Sequence, residues 1–554
     1  MRFSSCNIAL MNEKLADTNH PSLSELVAQN RALTLANAEL KQQLEHYRKL
    51  YRDVHERMVL ALSLLTMSLQ GGESAPSAPP APAPEPKSPE RPRTPPVGRK
   101  PVPKELPREV ITILPPEVEQ QGTDAFIRIG EEVSEVIERR RGSLTVVRIV
   151  RPKFIRKADP AASQGVSEGT TVLIGPPVEL PIDKGLAGPG LLAETIVRRW
   201  CDHLPLYRQE SIYARENWPV VRSTLCTWHD VLSQKVSSLV EAMWAEARRQ
   251  PILLTDATKV RMQALKKCKG THFFVVIAPQ LHVLYAFTQK HTTQTVQQLL
   301  GDFRGYLVAD AAPIYDQLYA DELRIEVGCW AHLRRYFIKS ISSDPVRSQK
   351  AIEWIGELFH IENEQAKSPP EKRRRHREER SAPIVKRFFA WCAEEHSKVL
   401  DDSPIKAALK YALNQQKALE RFLSDGRLPL HNNASENALR RQAVGRKNWL
   451  FIGSEDGGTA NARFVSLLAS CQLHQIEPWA YLRDLFCLLS NWPQNDILQL
   501  APAYWKETRD RPAVKAQLEK NPFRRINDAY VGAIGESDVT KKKDADDLVN
   551  NAVR

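Results

Sequence analysis

The sequence predicts an α/β protein built in several parts around one mixed sheet, and three observations carry that prediction. Five apolar, strand-like runs fall between residues 251 and 330, three in succession and two alternating with helical stretches. A long heptad repeat lies near the N-terminus, and a proline-rich segment separates it from the rest. A chain of 554 residues exceeds what one hydrophobic core organises, so several folded units are expected.

Composition narrows the function classes. With 42% hydrophobic and 26% charged residues the chain reads as globular, and no stretch approaches the ~18 to 20 consecutive apolar residues of a membrane span. No membrane partner is expected. Lys plus Arg number 78 against 66 Asp plus Glu, a net charge of +12 that favours polyanionic partners, nucleic acid first. The eight cysteines, Cys6, Cys201, Cys226, Cys268, Cys329, Cys392, Cys471 and Cys487, form no CxxC pair, and the first residues lack an export signal. A reducing, cytoplasmic setting is the expectation.

Taking the elements in order, residues 1–21 are expected to be flexible and residues 22–69 to form a coiled coil. One seam runs Leu23, Asn30, Asn37, Leu44, Tyr51, Met58 and Leu65; the other runs Leu26, Leu33, Leu40, Tyr47, Val54 and Ala61. Ser22 and Glu25 have capping-box spacing. Asn30 and Asn37 share a seam, where a buried amide is satisfied only opposite another, so a parallel dimer is the natural inference. Residues 70–108 read as a linker, because 13 of the chain's 38 prolines fall between Pro76 and Pro107 and favour extended backbone. Residues 109–165, with runs such as SLTVVRIVRPKF, suggest a small sheet-containing module.

Residues 166–250 are predominantly helical. Within them HLPLYRQESIYARENWPVVRSTLCTWHDVL gives two short helices around a turn at Asn217 to Pro219. Such a pair suits either a DNA-reading helix-turn-helix or a hairpin packed on protein.

The strand-like runs are PILLTD (251–256), THFFVVIAP (271–279), HVLYAFT (282–288), GYLVAD (305–310) and LRIEVGCW (323–330), with helical segments near 292–303, 312–320 and 331–341. The order βββαβαβα is the ribonuclease-H-like arrangement. A domain spanning 251–475 is expected, interrupted by a helical insertion at 341–424. A helix begins near Asn433, a helical segment covers 476–510, and a flexible tail covers 511–554. The run EKRRRHREER inside the insertion reads as a solvated helix face with internal pairing.

Asp256 is expected to end the first strand and Asp310 the fourth, which a sheet with those strands adjacent would bring together. Glu436, at the start of a helix able to pack beside the sheet, is the third acid. Three carboxylates so placed suit two Mg²⁺ or Mn²⁺ ions roughly 3.5 to 4 Å apart, which activate a water or hydroxyl for in-line attack on a phosphodiester. Each acid taken singly is equally a cap or turn former; only the combination points to chemistry.

The segments LLTDAT, YLVADAAPIY, GCWAHLRRYF, HNNASENALR, GRKNWLFIGSEDGG and EPWAYLRDLF together resemble a DDE transposase of the insertion-sequence 66 family, from about Gly185 to Trp505. The resemblance implies a bacterial, nucleoid-associated enzyme in which Asp256, Asp310 and Glu436 bind two metals for donor cleavage and strand transfer. It also implies double-stranded DNA as partner, a homo-oligomer that is at least a dimer, and accessory proteins encoded by the same element. Three departures accompany it. The stretch LPPEVEQQGTDAFIRIGEEVSEVIERRRG replaces the family's zinc-binding module without its ligands, so no zinc is expected. Ala257 stands where the family's first acidic motif has glutamate, and His431 stands where an acid usually precedes the paired asparagines.

In GCWAHLRRYF, Trp330, Leu333 and Phe337 are expected to face the core while His332, Arg334 and Arg335 approach DNA; His332 equally suits a core position. The CxxH pair Cys329 and His332 lacks a second pair and is not expected to bind metal. Arg440, Arg446, Lys447 and Trp449 complete the expected DNA-contacting set, with Trp449 stacking on an unpaired base or lying in the core. Asn432, Asn433 and Asn437 are expected to orient Glu436 or cap its helix. The alternative function is a catalytically degenerate, dimeric DNA-end-binding protein, motivated by Ala257, His431 and the missing zinc ligands. A zipper-type transcription factor fares poorly, because DTNHPS before Leu23 holds no basic cluster.

Overall fold

A computed structural model of the chain describes residues 102–531 apart from 103, 105, 141–142, 157–171, 266 and 321–322. The heptad repeat and most of the proline-rich stretch lie outside these residues. The described residues belong to the second of two compact units, Gly98–Arg554. They form a mixed α/β structure with two sheets.

The first sheet holds β1 (Arg108–Thr112), β2 (Phe126–Arg140), β3 (Ser143–Arg156) and β4 (Leu173–Ile174). β2 and β3 form a long antiparallel hairpin, β1 lies parallel to β3, and β4 pairs with the far end of β3. Val136, Val147 and Ile149 bury against Phe523 and Ile526 of the helix Pro522–Val531. This corrects the expected tail. Residues 512–531 are helical, as Pro512–Lys520 and Pro522–Val531, and Val514 and Leu518 are buried as well. Short helices, each opened by a proline, hid the apolar period that marks a longer helix.

Glu138 of β2 joins this sheet to the helical region. Its carboxylate accepts from the backbone N–H groups of Gly190 and Leu191, at the start of helix α1 (Pro189–Trp200). Those amides have no partner within the helix, and a carboxylate there also meets the positive end of the dipole. The fit is tight enough that a Cβ on Gly188 would lie 2.3 Å from Glu138 Oε2. Helices α2 (Leu206–Arg215) and α3 (Arg222–Lys235) follow, on either side of the expected turn, where Asn217 adopts φ 61°. One face of α3 lies in the core through Leu225, Trp228, His229 and Leu232, and Trp218 stacks on Trp228.

The second sheet has the order β7-β6-β5-β8-β9, from β5 (Ile252–Met262), β6 (Lys269–Ala278), β7 (His282–Thr288), β8 (Gly305–Val308) and β9 (Arg324–Val327). β5, β6 and β7 are antiparallel neighbours, and β8 and β9 add in parallel on the other side of β5. Phe273, Phe274, Val275, Leu284 and Leu307 fill its core.

Both edges are covered, as an exposed edge would invite a foreign strand. At β9, helix α4 (Trp330–Ser340) starts immediately, and its Trp330 donates from Nε1 to Leu419 O at 2.9 Å within the helical insertion. Phe388, Phe389 and Phe422 of the insertion ring that indole. Farther along the chain come α5 (Asn433–Trp449), which packs over β5 and β6, and α6 (Glu455–Leu473), which covers β7. The Ser466 and Ser470 hydroxyls of α6 accept the β7 backbone N–H groups of Tyr285 and Val283 at 2.8 and 3.1 Å. Gly458 allows the approach, since a Cβ there would strike the Phe287 ring at 2.4 Å. Among the described residues, no helix is long and apolar enough to cross a membrane.

Candidate active site

β5 and β8 run parallel, with Ile252, Leu253 and Leu254 opposite Tyr306, Leu307 and Val308. Carried two residues further, that register sets Asp256 opposite Asp310. The two strands are therefore adjacent, as expected, while the acids sit on them differently. Asp256 does not end its strand, because β5 continues to Met262 along β6; it lies beyond the point where β8 stops, and Asp310 stands two residues past β8. An aspartate inside a paired strand looks in the sequence like a terminator, since the polar run TDATK breaks the apolar pattern.

Glu436 occupies the first turn of α5, where the helix dipole favours a carboxylate. Buried Asn432, just before that helix, holds its start in place. Its Nδ2 donates to Thr255 O at 2.8 Å, next to Asp256, and its backbone N–H reaches Cys329 Sγ at 3.2 Å, just before α4. His431 accepts from Asn433 N through Nδ1 at 3.3 Å and stacks on Phe359 with 5.4 Å between ring centres. The two residues that depart from or flank the family motif thus build the entry to α5.

Two residues of α4 face Glu436. Arg335 Nη2 donates to both carboxylate oxygens, to Oε1 at 2.6 Å. His332 Nε2 stands 3.6 Å from Oε1 and 3.2 Å from Arg335 Nη1. Burial lowers the His332 pKa and Arg335 lowers it further, against the opposing pull of Glu436 and Asp310. Asp256 is pushed up to about 6, first by burial and then by the negative charge of Asp310 and Glu436; the Ala257 N–H it accepts at 2.7 Å and the Arg335 charge act the other way. Asp256 therefore lies within the field of both other acids.

They are not gathered tightly. Among the described residues, no group of three or more His, Cys, Asp or Glu side chains stands close enough to hold a metal ion. Glu436 is engaged by Arg335 instead. As a donor set the residues nonetheless suit a hard divalent cation: three carboxylates, two of which add their negative charge to the burial that raises the third, Asp256.

The remaining expected residues are placed as follows. Trp330, Leu333 and Phe337 are fully buried, while Arg334 and Arg335 are exposed. Arg440 is exposed and, with Asn437, lines a cavity of about 530 Å³ floored by Tyr285. Arg446 is occupied by Thr258 Oγ1 at 3.2 Å and Lys259 O at 2.6 Å, which ties α5 to β5; Lys447 is exposed. Trp449 is half-buried against the core, folded so closely over Gly445 that a Cβ there would meet its Nε1 at 2.7 Å.

Two further features of the site, the Arg335–Glu436 pair and the Asn432–Thr255 bond, leave no trace in the sequence. Their partners are 101 and 177 residues apart, and no spacing signals them.

Family models place the chain among known proteins. The Transposase IS66 family matches residues 184–460, and the IS66 C-terminal element matches 466–503. Two proteins of Sinorhizobium fredii (strain NBRC 101917 / NGR234), uncharacterized protein y4qI and uncharacterized protein y4hP, are similar. The first is 30% identical over 400 residues, 69% of this chain and 72% of its own length; the second is 28% identical over 438 residues, 74% and 77% respectively. The acids Asp256, Asp310 and Glu436 all fall within the first matched span. The chain belongs to the IS66 family of transposases.

Proposed function

We propose that the protein is a DDE-type DNA transposase whose second sheet is a ribonuclease-H-like platform for metal-dependent donor cleavage and strand transfer. The observation that supports this is the parallel β5–β8 register, which, continued past Val308, would bring Asp256 beside Asp310, together with the field that Asp310 and Glu436 exert on Asp256. Asp256, Asp310 and Glu436 would hold Mg²⁺ or Mn²⁺. Two such ions supply activation of the attacking hydroxyl and neutralisation of the leaving oxygen.

The chain's own residues account for the rest. Asn432 fixes the start of α5 against Thr255, so Glu436 keeps its place relative to Asp256. Arg334, Arg335 and Lys447 present exposed cations to DNA phosphates, and Arg446 holds the α5 end that carries Lys447. His332 lies between the fields of Asp310 and Glu436 and is kept neutral near pH 7 by burial and Arg335, leaving it able to accept or donate one hydrogen bond. Arg335 can exchange Glu436 for a phosphate, since both present oxygens to a planar guanidinium. Self-association and accessory proteins of the same element would complete the assembly.

The Arg335–Glu436 pair is also the observation that favours a second reading, a chain that binds element ends without cutting them. A strand-transfer assay with Mg²⁺ separates the two. The first reading expects wild-type products, their loss by roughly three orders of magnitude in Asp256→Asn, and unchanged DNA binding. Full activity in that variant refutes the assignment; wild-type binding without cleavage in Mg²⁺ or Mn²⁺ supports the second.

A further inference from the structure

Beyond the acids, β5 runs into a surface the catalytic reading leaves without a role. From Ala257 to His272 the sequence carries Lys259, Arg261, Lys266, Lys267 and Lys269 and no acidic residue. From Asn437 to Gly453 it carries Arg440, Arg441, Arg446 and Lys447, again with no acid. The structure joins these two segments. Ile452 donates to Arg261 O and accepts from Gln263 N, both at 2.7 Å, and Arg446 bonds Lys259 O.

Where they meet, large apolar side chains face solvent. Leu450 is 66% exposed, Phe451 42%, and Leu265, in the β5–β6 hairpin connection, fully so. Leu450 has φ 61°, a conformation costly for leucine, yet its side chain gains no burial in return. A cavity of about 610 Å³ lies between Leu450, Phe451 and the cations Lys259, Arg261 and Arg446. Apolar groups held outward on strained backbone amid cations suit a partner that is both anionic and stacked, and duplex DNA is both.

We propose that this ledge grips the DNA flanking the reacting phosphate, its cations on the backbone and Leu450 with Phe451 pressed as an apolar wedge against a base pair. The wedge rests on the transposase reading for where the DNA lies. Lys259 and Met262 stand about 10 and 20 Å along β5 from Asp256, so the ledge meets DNA roughly three to six base-pair steps from the acids. For Trp449 the sequence leaves both base stacking and a core position open; the indole is half-buried against the core, and its two neighbours Leu450 and Phe451 are the more exposed.

The test uses the full chain and short duplexes carrying 2-aminopurine at successive positions, without metal. Wild-type protein is expected to raise the fluorescence severalfold at one or two positions. A Leu450→Ser, Phe451→Ser double variant should bind with the same salt dependence and give no rise, and Leu450→Asn, which tolerates the left-handed backbone, guards against misfolding by giving a reduced rise with an unchanged Tm. Replacing Arg261, Lys267 and Lys269 by glutamine should flatten the salt slope by about 0.9 for each phosphate no longer neutralised. An unaltered fluorescence rise in the double variant, or an unaltered slope in the triple variant, overturns the proposal. Cleavage by a wild type that never unstacks a base overturns the wedge alone. Unstacking by a wild type that never cleaves supports the wedge and counts against the catalytic reading.

Discussion

Two arginine–glutamate pairs in this molecule share the same chemistry and differ in what surrounds them. In the helical insertion, Arg377 grips Glu362 through Nε and Nη2 at 2.6 and 2.7 Å and directs its other donors to the carbonyls of Phe422, Asp425 and Leu428. Its side chain is wholly buried. Beside the acids, Arg335 holds Glu436 through Nη2 while 46% of its side chain remains exposed, and its Nη1 meets only the His332 ring among the described residues. Every donor of the first pair that the interior could strand is satisfied, so the pair is part of the scaffold. The second is an association between two groups that water, a phosphate or a cation can separate at small cost. What distinguishes a fixed ion pair from a labile one here is the number of other bonds each partner makes.

That contrast can be broken experimentally. The largest effect expected is on stability. Arg377→Ala removes the guanidinium partner of Glu362 and the donors to the Phe422 and Leu428 carbonyls, Asp425 O keeping the Leu428 N–H, and should destabilise the fold by about 3 to 5 kcal/mol, whereas Arg335→Ala should change it by no more than about 1 kcal/mol. Urea melts of the two variants check this, and equal losses would erase the distinction.

Glu138 sharpens it from the other side, as a fully buried carboxylate that accepts from helix amides and also feels the Arg483 charge. Burial outweighs the backbone hydrogen bonds and raises it from 4.5 to about 7. Because the folded value is the higher one, the folded state keeps a proton that the unfolded state releases between those two values. Stability should therefore fall as pH rises through that window and level off above it, by roughly 3 kcal/mol at most. The difference in unfolding free energy between wild type and Glu138→Gln, followed from pH 4.5 to 8, isolates the effect; a pH-independent difference contradicts it.

The smallest expected change concerns cation affinity. Removing Arg335 frees Glu436, so Arg335→Ala should bind Mn²⁺ about tenfold more tightly in the absence of DNA. In both proteins affinity should weaken below about pH 6, where Asp256 takes up a proton and competes with the cation. Isothermal titration at pH 5 and 7.5 measures both; an affinity unchanged by the substitution means that the pair does not restrain Glu436.

Much of this architecture is legible in the sequence. The run at 282–288 and the helix start at Asn433 coincide with β7 and α5, and the GCWAHLRRYF division into a buried stripe of Trp330, Leu333 and Phe337 beside exposed arginines holds. Strong apolar periodicity over a single element makes these visible. Less visible is whatever depends on distant partners. β5 runs six residues past Asp256 because β6 pairs with it, the helix Pro522–Val531 lies against the apolar face of β2 and β3, and Glu436 points where Arg335 draws it. Tertiary contacts set these features, and local propensity carries no record of them.

The central claim is that Asp256, Asp310 and Glu436 converge on divalent cations once DNA displaces Arg335. Electron paramagnetic resonance of Mn²⁺ added to the DNA complex tests it most directly. The expected result is two coupled ions per active site in the wild type, with the coupling lost in Asp256→Asn, Asp310→Asn and Glu436→Gln alike. Uncoupled Mn²⁺ in the wild type, or the same spectrum in all four proteins, would contradict it.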